Sequence, residues 1–208
     1  MGRPALKPDE IHEFRERLCD AALTIFAAEG YEGFTLRALG DALGCSATTP
    51  YRYFRNKADI FAAVCARAFE GLCAAQEEAA RLKAPPWDRI RAQGRAYVAF
   101  ARANPNAYRV MLNLEGAHEG LDAEDRDAYR APVWRSWQLL LDRFSEAADA
   151  GLLDGDPARV AHAFWASIHG VMALELGNRI IAGLSADDVL DEVIERFERA
   201  YLPSAPHA

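Results

Sequence analysis

Ala47, Thr48 and Thr49 stand together as three small residues that offer methyl groups and hydroxyls. Side chains of that size can touch a thymine methyl or donate to a base acceptor when their backbone lies in the major groove. Tyr51, Tyr53 and Lys57 follow, with two hydroxyls and an ammonium suited to phosphate oxygens on the groove walls. Thr35 and Ser46 are cap-type residues, and a capped helix start presents backbone N–H groups to phosphate. Other chemistries find less support. There is no Ser/His/acid set, no glycine-rich phosphate loop and no His-Glu-x-x-His run. His162 and His169 are seven apart, and His118 lies near Asp122 and Asp125, but neither group has the compact spacing of a zinc site. Cys19, Cys45, Cys65 and Cys73 form no Cys-x-x-Cys pair. Cys65 and Cys73 on one helix would stand about 12 Å apart, too far for a disulfide. No catalytic residue, cofactor or metal is expected.

Reading a base edge requires a short helix held at a fixed angle, and the flanking sequence is built for that. Ile11, Phe14, Leu18, Ala22, Ile25 and Phe26 recur at helical spacing, with Pro8-Asp9 before them and Gly30 after. Thr35 caps a helix to Leu43 with Leu36, Leu39 and Leu43 inward, and Gly44 stops it. Ser46 then caps a second short helix, expected to turn Tyr51 and Phe54 inward. Asn56 caps a long helix from Lys57 to about Leu82. Further helices are expected near Asp88–Ala103, Pro105–Leu114, Glu124–Ala150 (with a kink at Pro132), Pro157–Gly183 and Ala186–Leu202. The fold class is therefore all-α, with about nine helices. Residues 1–8 form a basic arm, 9–57 a three-helix helix-turn-helix domain, and 58–208 a helical domain for dimerisation and ligand binding. In the arm, Arg3 and Lys7 are suited to the minor groove; a merely solvated tail is the alternative.

The run Ala21-Ala22…Phe26…Gly30-Tyr31…Thr35-Leu-Arg-Ala-Leu…Leu43-Gly-Cys-Ser46…Tyr51-Arg-Tyr-Phe54-Arg-Asn-Lys57…Ile60-Phe61 resembles the DNA-binding domain of TetR-family repressors. The resemblance implies an all-α homodimer that occupies operators and is released by a ligand in its C-terminal domain. It also implies DNA contacts at Thr35, Thr48, Tyr51, Tyr53 and Lys57. The sequence departs from the family at Pro50, where most members carry Leu or another aliphatic residue. As the fourth residue after the Ser46 cap, Pro50 removes only the first intrahelical bond, so a slightly altered helix entry is expected.

Phe164-Trp165-Ala-Ser-Ile-His169-Gly170 resembles the Trp…His-Gly motif of one TetR-type C-terminal class, the WHG domains. Trp165 and His169 would share one helix face. A pocket for a small, mostly apolar effector is expected among Tyr97, Phe100, Tyr108, Trp134, Trp137, Trp165 and His169, with Arg109 and His169 as polar contacts. The same aromatics would serve equally as plain core, and His169 as a buried structural histidine. A dimer interface is expected at Phe164, Ile168, Val171, Val193 and Phe197, on the last two helices.

The charge distribution fits these assignments better than the total of −7 does. Residues 1–57 hold eight basic and eight acidic residues, leaving 16 basic and 23 acidic in the rest. Within Thr35–Lys57, Arg37, Arg52, Arg55 and Lys57 oppose Asp41 alone, so phosphate would be met at one end of an acidic body. The start lacks the apolar run of a signal peptide, no stretch is long enough to span a bilayer, and a cytoplasmic location is expected. The expected partners are a palindromic double-stranded operator, a second copy of the chain and a small-molecule effector, with no membrane. The expected function is a transcriptional repressor released by ligand. A helix-turn-helix dimer with a filled core, acting through a protein partner, is the alternative; a small helical enzyme is the remote one.

Overall fold

The computed structural model describes residues 8–112 and 123–203, which form eight α-helices, one 3-10 turn and no strand. The helices are α1 (Pro8–Gly33), α2 (Leu36–Leu43), α3 (Lys57–Ala80), α4 (Pro86–Ala103), α5 (Pro105–Leu112), α6 (Ala123–Asp149), α7 (Pro157–Leu176) and α8 (Ala186–Tyr201). The 3-10 turn is Pro50–Arg52. Arg3, Lys7, His118 and Asp122 lie outside the described residues.

The chain divides into two compact units. One takes Met1–Glu70 with Asn106–Val133, the other Gly71–Pro105 with Trp134–Ala208. The first unit thus takes in α5 and the start of α6 with the N-terminal helices. The first unit is organised on aromatic rings. Phe26 stacks on Phe34 at 4.1 Å and meets Phe61 edge-on at 4.9 Å. Leu18, Ala22, Leu39, Phe54, Val64, Cys65 and Val110 are buried around them. Cys65 donates its Sγ–H to the Val110 carbonyl at 3.7 Å, and burial pushes its thiol far above the ordinary range. It is therefore a small core hydrophobe with a weak donor.

In the second unit, α4, α7 and α8 pack together. Phe144 and Phe164 lie 5.5 Å apart, Phe164 meets Phe197 at 5.4 Å, and Trp87 donates its Nε1–H to the Leu152 carbonyl at 2.8 Å. Arg91 pairs with Glu198 and Arg95 with Asp191, tying α4 to α8.

Two elements differ from the sequence expectation. The helix expected over Pro157–Gly183 ends at Leu176. Arg179 N–H bonds to Leu174 O at 2.8 Å and Asn178 N–H to Glu175 O at 3.0 Å, with Asn178 at φ 50°. That is a left-handed stop of the kind asparagine tolerates, and the apolar residues beyond it had masked it. The second difference is the segment after Ser46, described with the site.

Candidate nucleic-acid interface

Helix α2 is terminated as its residue types dictate. Thr35 is extended, and its Oγ1 accepts from Ala38 N–H at 3.1 Å. Gly44 closes the other end at φ 65°, ψ 33°, a left-handed conformation that glycine adopts without a Cβ penalty. The chain then turns back so tightly that a Cβ on Gly40 would lie 2.9 Å from Cys45 O and 3.0 Å from Ala47 N. Only a residue without a side chain lets the following segment pack on α2 this closely.

That segment is not the α-helix expected from its caps. Ser46 does not cap a helix by accepting a backbone N–H; its Oγ lies 3.0 Å from the hydroxyls of both Thr48 and Thr49. Thr49 N–H bonds to Ser46 O at 2.9 Å, and Tyr53 and Phe54 N–H both bond to Pro50 O. Pro50 has no N–H to extend the first turn into the second, so the segment holds as a turn followed by one 3-10 turn. In a 3-10 turn residues three apart eclipse. Pro50 is accordingly buried, Tyr53 is half-buried behind it, and Tyr51 faces out at 53% exposure. The expectation that Tyr51 packs inward with Phe54 is corrected: Pro50 takes that place.

Ala47, Thr48, Tyr51 and Arg52 are exposed and Thr49 is half-exposed, so the small residues form the outer surface of the segment. Tyr53 stacks on Phe14 at 4.6 Å. The Lys57 ammonium sits 4.4 Å over the Tyr31 ring and donates to Glu32 O at 3.4 Å. Burial, and then the Glu32 carboxylate, raise the Tyr31 hydroxyl above its usual range, so a neutral ring lies under the cation. Asn56 caps α3 through Asp59 N–H at 2.9 Å, and Asp59 returns by accepting from Arg55 N–H at 2.9 Å.

Sequence reasoning missed Arg15. From α1 it donates Nη1–H to the Tyr53 carbonyl at 2.5 Å and lies 4.2 Å over the Phe54 ring. It also lines an open cleft of about 370 Å³ with Tyr51, Arg52, Tyr53, Phe54, Arg55 and Asp59. Three guanidiniums and two tyrosines against one carboxylate make this cleft cationic. Arg52 and Arg55 were visible as local basic residues; Arg15, 38 positions from Tyr53, was not.

The residues expected to line a ligand pocket fall in both units. Tyr108 is buried in the first, and Arg109 of α5 is exposed. In the second, Tyr97 is buried, with its hydroxyl 3.3 Å from His169 Nδ1, and burial lowers the His169 pKa and keeps that ring neutral. Phe100 and Trp137 are half-buried, and Trp134 is 64% exposed. Trp137, His162, Trp165 and His169 form a ladder with centroid steps of 4.5, 5.6 and 6.1 Å.

Of the residues expected at a dimer interface, Phe164, Ile168 and Val171 are at most 3% exposed and pack in the chain's own core. Val193 and Phe197 are half-buried. The apolar exposure on α7 lies at Trp165 and Leu174, and continues to Ile181 and Leu184.

Among the described residues, no helix is long and apolar enough to cross a membrane. Residues 18–64 match the family described as bacterial regulatory proteins, tetR family. Residues 90–197, which include Phe164–Gly170, match the tetracyclin repressor-like C-terminal domain. The HTH-type transcriptional repressor KstR of Mycolicibacterium smegmatis is 33% identical over 90 residues, 43% of this chain and 44% of that protein. The matched stretch thus spans under half the length of that repressor. An uncharacterised HTH-type regulator of Mycobacterium tuberculosis is 25% identical over 88% of this chain and 78% of its own length. Among solved structures, the TetR-family regulator PfmR of Thermus thermophilus shares the fold, with TM-score 0.72, 23% identity and coverage of 88% of this chain and 97% of that one. A Rhodococcus protein of unknown function aligns with TM-score 0.75 at 27% identity, covering 91% and 95% of the two chains. The chain belongs to the TetR family of bacterial regulatory proteins.

Proposed function

We propose that this chain is a repressor that occupies a palindromic operator as a homodimer and leaves it when a small, mostly apolar ligand binds the helical domain. The observation that carries the DNA-reading half is the exposed run Ala47–Thr49 backed by the Arg15, Arg52, Arg55 and Lys57 cations. Small side chains on the outer surface read base edges while the cations around them hold phosphate. Thr35 at the start of α2 adds a phosphate contact. KstR is named as a repressor, and two solved relatives carry names referring to fatty acid metabolism or degradation, which supports an apolar effector.

Selection of bound duplexes from a random pool tests this reading. Recovery of an inverted repeat with half-sites about one helical turn apart, bound by two protomers, is the expected result. Recovery of no shared sequence would overturn it. For the ligand half, an apolar compound that raises the melting temperature must also lower operator affinity. Moving the DNA-competent population from nearly full to nearly empty requires about 5.5 kcal/mol of differential binding. A compound that binds the helical domain and leaves operator affinity unchanged removes the release mechanism. The tight Phe144–Phe164–Phe197 ring packing favours the second reading, a filled core with a protein partner, and that outcome would support it.

A further inference from the structure

The interior of the second unit contains polar groups that its own chain leaves without partners. Gln93 on α4 is 1% exposed, and neither its Nε2 nor its Oε1 has a hydrogen-bond partner. Arg143 on α6 is 9% exposed. Its Nη2 pairs with Glu146 Oε1 at 2.8 Å, while its Nε and Nη1 are unpartnered. Arg89, one turn before Gln93, donates to the other Glu146 oxygen at 2.6 Å and to Ala80 O at 3.3 Å, and its Nε is also unpartnered. Two guanidinium cations therefore share one carboxylate, and this cluster carries an excess positive charge.

Helical spacing links the groups. Arg89 and Gln93 lie at i and i+4 on α4, Arg143 and Glu146 at i and i+3 on α6, and the Arg89–Glu146 pair joins the two helices. Gln93 thus lies one turn along α4 from the Arg89 that meets Glu146, and Arg143 one turn before Glu146 on α6. Tyr97, one further turn along α4, continues that face to His169. A buried amide and a partly neutralised guanidinium are costly to hold without partners, and native interiors keep very few of them. Plain packing would be served better by Leu and Met at these positions. An anion with hydrogen-bond acceptors would satisfy these donors and balance the second guanidinium.

We propose that Gln93 and Arg143 receive the carboxylate of an otherwise apolar effector, which supplies the counter-charge the chain itself lacks. This rests on the reading of the protein as a ligand-responsive regulator and names the chemistry of that ligand. The carboxylate accepts from the free N–H groups of Arg143 and from Gln93 Nε2, in charge-assisted bonds that a neutral head group cannot match.

The test compares dodecanoate with dodecanol, probes of equal chain length, on the full chain by calorimetry, with Gln93→Leu and Arg143→Met as variants. Dodecanoate is expected to bind the parent at least about tenfold more tightly than dodecanol, and Arg143→Met to erase that preference. Gln93→Leu, without ligand, is expected to melt no lower than the parent, because it removes a buried group that has no partner. Three results would each overturn the proposal: equal or absent binding of dodecanoate in the parent, an undiminished preference in Arg143→Met, or a lowered melting temperature in Gln93→Leu. Operator binding by the ligand-free parent is measured separately. Failure there speaks against DNA reading, whereas lost carboxylate preference with intact operator binding speaks against this site alone.

Discussion

At the end of the segment after α2, the Arg15 guanidinium holds the Tyr53 carbonyl, which lies past the 3-10 turn and has no helical donor of its own, and the same group covers Phe54. The residues around it separate into two kinds of contact. Lys57→Ala and Tyr53→Phe are expected to weaken binding to a selected operator and to a scrambled duplex alike, and Lys57→Ala to flatten the salt dependence by about one phosphate contact. Thr48→Ala and Thr49→Ala are expected to reduce operator affinity by about 1–3 kcal/mol each and leave the scrambled duplex unaffected. Anisotropy titrations on both duplexes at several salt concentrations check these outcomes. Equal losses on the two duplexes would take Thr48 and Thr49 out of base reading. The Ser46 hydroxyl engages both threonine hydroxyls, which leaves their methyl groups as the more available surface.

At the scale of elements, the joint between α2 and the segment that follows it depends on Gly40. A methyl there meets backbone atoms at 2.9–3.1 Å, and backbone cannot swing aside as the end of a long side chain can. Gly40→Ala is expected to destabilise the head by about 1–3 kcal/mol and to lower operator affinity more than any surface change on α2 does. Denaturation melts and operator titrations of that variant check it; parental values in both would show that the segment shifts freely on α2. The cap at Thr35 belongs to the same element, and its loss in Thr35→Ala removes about 1 kcal/mol. Helix α7 teaches the opposite lesson about apolar runs. Residues such as Ile180 and Ile181 continue the pattern past Leu176, yet the backbone has already turned at Asn178.

At the scale of the whole molecule, the proposed two-fold assembly would use surface that the single chain leaves uncovered. On α7 and the loop after it, Trp165, Leu174, Ile181 and Leu184 meet that condition. Trp165→Glu with Leu174→Glu is expected to give a folded monomer with parental helicity and no operator binding. Phe164→Glu is expected to unfold the domain, because a charge would replace a ring packed between Phe144 and Phe197. Sedimentation and circular dichroism distinguish the outcomes, and a dimeric Trp165/Leu174 variant would move the interface elsewhere.

The sequence by itself determined what depends on neighbours along the chain. The start and stop of α2 at Thr35 and Gly44, the Asn56 start of α3 and the helical class of the described residues all rest on local rules of capping and period. The family resemblance was carried by those same local positions. Only the tertiary structure decided which face of each helix is used. Periodicity marks Phe164, Ile168 and Val171 as apolar, but it does not tell a chain's own core from a partner's surface. Nor does spacing along the chain bring Arg15 to Tyr53, or set Arg89 and Arg143 on one shared carboxylate. Those placements follow from packing between helices far apart in sequence, where burial and charge are settled by neighbours that no local pattern names.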